Sequence, residues 1–292
     1  MPTTNPRVFP PLVIFGGGNM GSAIVRGGAR GLGPLHDGAV LVVEPDRAKH
    51  EAFNTLRVPV VPSVRDCRAW LEAAEAHAGL GAQMLLAIKP QSLRAFAAEF
   101  RETLGVRTGV MISILAGTPS EAVREALGGS ARIVRAMPNL AATIRQGTTA
   151  ICLGAGSKPG DEAMALAIFK DVGQLVVSID ESMMDAFTAV AGSGPAYVFH
   201  LAESMVKAAV KLGFEGSLAR DIVRETIAGA GNLLAESSQD PGTLRAAVTS
   251  KGGTTEAAVE VLERRAVREA IVEALRAARD RGVELGGQQS GS

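Results

Sequence analysis

A glycine-rich segment directly after a short apolar run constrains this 292-residue chain more than any other feature. The run is Leu12–Phe15, and Gly16-Gly17-Gly18-Asn19-Met20-Gly21 after it satisfies the pattern G-x-G-x-x-G. The chain contains 34 glycines, so the pattern alone is weak support for a binding site. Between a strand and a helix, however, the three glycines allow a tight turn, a close approach of backbone to a pyrophosphate, and close helix–strand packing. Because a helix N-terminus also offers free N–H groups to phosphates, the segment predicts a dinucleotide-binding site. The alternative is a glycine turn that binds no ligand.

Short β-branched runs alternate with helical segments along the first half of the chain. After Leu12–Phe15 the runs are residues 39–43, 84–88, 110–115 and 132–135, and residues 147–153 and 175–179 are candidates for two more. The helical segments between the runs are residues 46–56, 64–78, 91–104 and 119–127. Because the runs are continuously apolar, we expect strands buried on both faces, as in a parallel sheet with helices on each side.

The strand pattern stops after Ile179, and residues 181–190, 196–212, 218–235 and 255–281 are typical of helices. The sequence therefore predicts an α/β fold in which a Rossmann-type doubly wound sheet, residues 1–180, is followed by an all-helical domain, residues 181–292. Small and apolar residues occur on more than one face of these helices, for example in residues 227–231. One small domain cannot bury them all, so we expect a homodimer or larger homo-oligomer formed through residues 181–285.

Charge and composition exclude several classes of protein. Thirty Lys and Arg balance thirty Asp and Glu, so we expect neither a nucleic-acid nor a membrane-surface partner. No apolar stretch approaches 18 residues, and the proline-rich start does not resemble a signal peptide. Cys67 and Cys152 are too few for a disulfide framework, which favours a reduced, cytoplasmic location. The four histidines are scattered, so no metal site is expected.

Polar residues follow three of the predicted strands. Glu44 comes 23 residues after Gly21, near the spacing at which an acidic residue bonds ribose hydroxyls, although Arg47 beside it is an alternative ligand for a 2′-phosphate. Ala87 and Lys89 end another strand, and Pro90 keeps Lys89 extended. Asn139 follows a third. Because the carboxyl ends of parallel strands line the ligand crevice, we interpret these residues as cofactor-binding, or else as solvated residues at strand ends.

Two glycine-rich segments of the helical half are candidates for substrate binding. Gly192-Ser193-Gly194-Pro195 precedes a long helix, and Gly252-Gly253-Thr254-Thr255 leads into the last one. A Gly-Gly-Thr-Thr turn at a helix start offers N–H groups, hydroxyls and the positive end of the helix dipole, which suit a carboxylate. A plain helix cap after a flexible loop remains the alternative.

Taken together, these segments resemble the pyrroline-5-carboxylate reductases over residues 12–285. The matching motifs are Gly-Gly-Gly-Asn-Met at 16–20, Ala-Ile-Lys-Pro-Gln at 87–91, Ser-Ile-Leu-Ala-Gly at 113–117, Arg-Ala-Met-Pro-Asn at 135–139, Gly-Ser-Gly-Pro-Ala-Tyr at 192–197 and Val-Thr-Ser-Lys-Gly-Gly-Thr-Thr at 248–255. The resemblance implies reduction of (S)-1-pyrroline-5-carboxylate to L-proline, the last step of proline biosynthesis, with NADPH or NADH. It also implies that N–H groups of residues 252–255 hold the substrate carboxylate, that Thr255 faces the ring nitrogen as the catalytic hydroxyl, and that two helical domains interlock.

Two rival functions remain at this stage. A β-hydroxyacid dehydrogenase has the same architecture, but it needs a lysine where Val198 stands. A non-catalytic NAD(P)-binding sensor would have no need of a carboxylate loop. The chain departs from many relatives at Lys251, where they have proline, and this leaves the stiffness of the substrate loop open.

Overall fold

The computed structural model describes residues 9–31, 33–37 and 39–290, and an eight-stranded sheet organises the first part of these. Along the sheet the order is β3-β2-β1-β4-β5-β6-β7-β8, and only β6 and β7 pair in antiparallel fashion. The strands are β1 Leu12–Phe15, β2 Val40–Val43, β3 Val60–Val61, β4 Gln83–Leu86, β5 Val110–Ser113, β6 Arg132–Met137, β7 Gly147–Leu153 and β8 Gly173–Ser178. The predicted α/β fold is confirmed. The order in which strands are added to the sheet reverses at β1, which lies between the parallel strands β2 and β4, and such sheets bind ligands at this point.

Helices cover both faces of the sheet, as the continuous apolar runs require. In β1, Leu12 and Ile14 belong to one apolar cluster and Val13 and Phe15 to the other, and all four side chains are buried. The helices of this part are α1 Asn19–Gly28, α2 Pro34–Asp37, α3 His50–Asn54, α4 Val64–Ala78, α5 Leu93–Leu104, α6 Ser120–Ala126, α7 Ala163–Asp171 and α8 Met184–Phe187. Two cores on opposite faces therefore fix the strands from both sides.

Two of the predicted helices are shorter than expected. Over residues 46–56 a 3-10 turn, Arg47–Lys49, precedes α3, because the Asp46 carboxylate caps the turn by accepting a hydrogen bond from the Ala48 N–H. Residues 181–190 form a 3-10 turn (Glu181–Met183), α8 and a π-helical turn (Thr188–Gly192). Helix α4 begins and ends where it was predicted: the Ser63 hydroxyl caps its first turn and Gly79 ends it in a left-handed conformation.

By its internal contacts the chain separates into two compact units. The first runs to Ser193 and resumes at Ala278, and the second is Gly194–Ala277. The residues just after 180 belong with the sheet: Met184 is buried with Met137, Ala150 and Cys152. The predicted domain limits, 1–180 and 181–292, stay a prediction.

The second unit is helical, as expected. Its helices are α9 Gly194–Lys211, α10 Gly216–Glu236, α11 Pro241–Ala247 and α12 Thr254–Arg264, together with the start of α13, Val267–Ser290. The single helix predicted over residues 255–281 is wrong, because Ala266 has a φ of 52°, a left-handed conformation that an α-helix cannot continue through. Residues 255–281 therefore form two helices.

The helical unit exposes many large apolar side chains. Ala219 and Val223 are buried, whereas Phe199, Leu212 and Leu233 are 61%, 80% and 57% exposed. Apolar exposure on this scale marks a surface that a partner covers. Within the residues that the structure describes, every helix is too short or too polar to span a membrane.

Candidate active site

A cleft of about 360 Å³ lies at the carboxyl edge of the sheet, beside the ends of β1, β2 and β4. It brings together five of the predicted cofactor residues, Gly16, Gly18, Glu44, Ala87 and Lys89. Another cavity, of about 420 Å³, lies at the opposite edge of the sheet and contains none of the predicted site residues. The glycine-rich turn, Glu44 and the end of β4 therefore meet at the edge where the fold predicts a ligand, whereas Asn139 does not line this cleft.

The glycine-rich turn is shaped by backbone contacts that leave no room for side chains. Gly16 has a φ of 106°, and a Cβ atom there would lie 2.6 Å from the Ala87 carbonyl oxygen. A Cβ atom on Gly21 would lie 2.1 Å from the Gly16 carbonyl oxygen, so α1 packs directly on the turn. Gly18 instead borders open space. The packing roles predicted for these glycines are confirmed, and the open side of the turn is available to a ligand.

The start of α1 fits a phosphate group. Gly18 occupies the cap position and has no side chain with which to cap the N–H groups of Asn19, Met20 and Gly21. Uncapped N–H groups and the positive end of the helix dipole together attract an anion. The residues present thus fit the pyrophosphate of a dinucleotide.

Glu44 is buried at the end of β2 and bonded on both carboxylate oxygens. Its Oε2 accepts a hydrogen bond of 2.7 Å from the Gly17 N–H, and its Oε1 accepts one of 2.9 Å from the Asp46 N–H. Lys49 Nζ lies 3.4 Å from Oε1. The carboxylate therefore holds the glycine-rich turn against β2 in addition to facing the cleft.

Sequence reasoning missed Lys49, which lines the cleft with Glu44. Burial lowers the pKa of Lys49, but the charges and hydrogen bonds of Glu44 and Asp46 outweigh this effect and raise it above 10.5. The ammonium group is therefore protonated at neutral pH. A lysine five residues after the acidic residue, at the end of the 3-10 turn that precedes α3, was the available signal.

Lys89 is exposed at the rim of the cleft, where Pro90 begins a 3-10 turn. Its backbone is extended, with φ −71° and ψ 140°, as predicted from the following proline. Lys89 thus adds a positive charge to the cleft that Gly18 and Ala87 also line.

Asn139 follows β6 and is only 8% exposed. Its side-chain Oδ1 accepts a hydrogen bond of 3.2 Å from the Thr148 N–H, and its Nδ2 donates one of 3.1 Å to the Ala191 carbonyl. Both polar atoms are therefore used inside the protein. Ser193 lies two residues beyond Ala191, and its N–H donates to the Thr188 carbonyl at 2.8 Å, which closes the π-helical turn.

The predicted substrate loop lies in the second unit, at the start of α12. Gly252 has a φ of 72°, Gly253 caps the helix, and Thr254 and Thr255 form its first turn. A Cβ atom on Gly253 would lie 2.5 Å from Ser250 Oγ. The start of α12 therefore has no side-chain cap, and binding of the substrate carboxylate there stays a prediction.

Glu256 is a second residue that sequence reasoning missed. Its Oε2 accepts a hydrogen bond of 2.6 Å from the Gly252 N–H, one of the groups predicted to hold the substrate carboxylate. A carboxylate of the chain itself thus occupies a position suited to a ligand carboxylate. The signal was available, since an acidic residue three positions after a helix cap commonly reaches back to the N–H groups before it.

The fold and the cleft define the class of this protein, a Rossmann-type dinucleotide-binding protein with a helical C-terminal region. Comparison with known proteins agrees. Residues 181–285 match the family model described as pyrroline-5-carboxylate reductase dimerisation. A pyrroline-5-carboxylate reductase of Synechocystis is 37% identical over 278 residues, which cover 94% of this chain and 98% of that protein.

Solved structures lead to the same family. The structure of a pyrroline-5-carboxylate reductase from Coxiella burnetii has a TM-score of 0.78 and 30% identity, and covers 95% of this chain and 98% of that one. The Plasmodium falciparum pyrroline carboxylate reductase, solved with NADP bound, has a TM-score of 0.76 and 25% identity, with 94% of this chain and 99% of that one covered. The chain belongs to the pyrroline-5-carboxylate reductase family.

Proposed function

We propose that this protein is an NAD(P)H-dependent oxidoreductase that reduces (S)-1-pyrroline-5-carboxylate to L-proline, the last step of proline biosynthesis. The observation that carries the proposal is the likeness to a pyrroline-5-carboxylate reductase at 37% identity along 94% of the chain. The uncapped helix start beside Gly16 and Gly18, which fits a dinucleotide, supports the same reaction. NADPH or NADH supplies the hydride when it is bound.

The cofactor contacts that we propose lie in the first unit. The N–H groups of Asn19, Met20 and Gly21 bind the pyrophosphate, with Gly16 and Gly18 allowing its approach. Glu44 faces the adenosine ribose. Ala87 and Lys89 border the cleft at the end of β4, and Pro90, which begins the next turn, keeps Lys89 extended beside the cofactor.

The substrate contacts that we propose are Ser193 and the loop Gly252, Gly253, Thr254 and Thr255. The N–H groups at the start of α12 hold the carboxylate, and the Thr255 hydroxyl faces the ring nitrogen. A cyclic imine protonates more readily than a ketone, so its carbon accepts a hydride without a strong acid in the site. The protein therefore contributes mainly position, clamping the carboxylate and excluding water from the reacting atoms.

The protein acts as a homo-oligomer. The match of residues 181–285 to a dimerisation family and the exposed apolar side chains of α9 and α10 support a homodimer or a larger assembly. We also propose a cytoplasmic location, which the two free cysteines support.

The test is turnover by the purified protein. We expect pyrroline-5-carboxylate to be reduced with NADPH or NADH, followed by the loss of nicotinamide absorbance, and no oxidation of a β-hydroxyacid with NAD⁺ or NADP⁺. Oxidation of the hydroxyacid without reduction of the imine would support the dehydrogenase instead. Tight cofactor binding without any turnover would support a sensor.

A further inference from the structure

The side chain of Asn139 joins two segments that are far apart in sequence. It connects the first residues of β7, through the Thr148 N–H, to the π-helical turn, through the Ala191 carbonyl. Both connections lie within the first unit, and the side chain is almost fully buried. A buried side chain with both polar atoms bonded to backbone fixes the distance between the two segments.

The two hydrogen bonds need the chemistry of an amide. Oδ1 must accept a hydrogen bond and Nδ2 must donate one, and asparagine supplies both at this short reach. An aspartate of the same shape would keep the acceptor for Thr148 but set a second acceptor against the Ala191 carbonyl. The contact with the turn, and not the contact with β7, is therefore the one that aspartate removes.

The turn that Asn139 holds leads directly into a predicted substrate residue. The Ser193 N–H bonds the Thr188 carbonyl five residues earlier, so the position of Ser193 depends on the π-helical geometry of residues 188–192. Single π-helical turns are uncommon and occur frequently at functional sites.

We propose that Asn139 is a positioning residue, which fixes the Ala191 carbonyl and thereby places Ser193 for the substrate. The inference rests on the proposed function, in which Ser193 contacts pyrroline-5-carboxylate. It gives Asn139 a role in substrate binding through the turn, and not in direct contact with the cofactor.

The test compares Asn139→Asp with wild type in steady-state kinetics and in NADPH binding measured by fluorescence. We expect the KM for pyrroline-5-carboxylate to rise about fivefold or more, while the Kd for NADPH stays within about twofold of wild type. Where Asn139→Asp does not fold, Asn139→Ala, which removes both hydrogen bonds without adding an acceptor, enters the same assays.

A matched control and a double variant separate positioning from general stability. Thr143→Val removes the hydrogen bond that the Thr143 hydroxyl donates to the Leu140 carbonyl at 2.9 Å, close to Asn139 in sequence but outside the π-helical turn, and leaves Asn139 intact. We expect it to leave the substrate KM within about twofold. Combined with Ser193→Ala, Asn139→Asp should add little further increase in KM, since coupled residues are not additive.

Three results would overturn the inference while the wild-type protein is active. They are an unchanged substrate KM, a raised Kd for NADPH at unchanged substrate KM, and an equal rise of the substrate KM in Thr143→Val. A wild-type protein that does not reduce pyrroline-5-carboxylate would overturn the proposed function itself.

Discussion

The charge of Glu44 is expected to set the choice between NADH and NADPH. Glu44 ends β2, where this class of fold holds the adenosine ribose, so a 2′-phosphate on that ribose would lie beside the carboxylate. We predict appreciable use of NADH by the wild-type protein. Replacing Glu44 by serine should shift the ratio of kcat/KM values toward NADPH.

The size of the shift follows from the local charges. Two like charges about 4 Å apart repel by about 1 kcal/mol in water and about 4 kcal/mol at an effective dielectric constant of 20. Lys49 Nζ, 3.4 Å from Glu44 Oε1, offsets part of that repulsion. Because 45% of the Lys49 side chain is exposed, its pair with Glu44 contributes about 1 kcal/mol or less. A repulsion of about 2 to 3 kcal/mol, between these limits, less about 1 kcal/mol for Lys49 leaves a net effect of about 1 to 2 kcal/mol, or about 5- to 30-fold in the ratio.

Matched variants isolate the charge from the structural role of Glu44. Both nucleotides need the glycine-rich turn that Glu44 holds through the Gly17 N–H, so loss of that bond lowers both kcat/KM values and largely cancels in their ratio. Glu44→Gln keeps the size and an acceptor but removes the charge, and should shift the ratio like Glu44→Ser. Lys49→Met removes the positive charge beside the carboxylate. It should therefore move the ratio of kcat/KM values the other way, toward NADH, by up to about fivefold.

The assay is the initial rate with each reduced nucleotide at several concentrations and a fixed concentration of pyrroline-5-carboxylate. A wild-type protein that prefers NADPH by about a hundredfold, together with an unchanged ratio in Glu44→Ser, would refute the reasoning. In that case Arg47 or a neighbour sets the choice.

Four other predictions concern the substrate loop, the assembly and the stability. Thr255→Val should lower kcat/KM by about tenfold or more without loss of fold, because it exchanges only a hydroxyl for a methyl group, and unchanged kinetics would remove Thr255 from the mechanism. Glu256→Gln should lower the substrate KM, because the carboxylate that now bonds the Gly252 N–H would no longer repel the substrate carboxylate, and a higher KM would contradict this. Light scattering at micromolar concentration should give a homodimer or larger, whereas an active monomer would contradict the interface through residues 181–285. Burial raises the pKa of Glu181, but hydrogen bonds from Ser120 and Arg135 outweigh this and hold it below 4.5, so its contribution to stability is present above pH 4.5 and is lost at lower pH. Denaturant unfolding at about one-unit steps from pH 3 to 7 should show that the free energy of unfolding of wild type exceeds that of Glu181→Gln near neutral pH, and that this difference shrinks in acid. A difference that does not change with pH would contradict the reasoning.

The sheet could be predicted from the sequence because its strands are buried on both faces and are therefore continuously apolar. Continuous apolar runs and one glycine-rich turn identify β1 and its neighbours, since each local signal agrees with the fold. The two-residue β3, Val60–Val61, was too short to give a pattern. The end of α12 was missed because nothing in the local sequence predicts that Ala266, a good helix former, adopts a left-handed conformation.

The individual residues of the candidate site could be predicted from the sequence, but the contacts between them could not. The position of Glu44 after β2 followed from spacing, whereas its bonds to the Gly17 and Asp46 N–H groups depend on side-chain rotamers and on burial. The same holds for Asn139, whose partner Ala191 is 52 residues away. Such pairings depend on tertiary structure, and no local pattern encodes them.

The identity of the product tests the central proposal most directly. Purified protein is incubated with racemic pyrroline-5-carboxylate and a reduced nucleotide, and the product is resolved on a chiral column while the nucleotide consumed is measured. We predict that L-proline forms in an amount equal to the NADPH or NADH oxidised. Nucleotide oxidation without proline, or no reaction with either nucleotide, would contradict it.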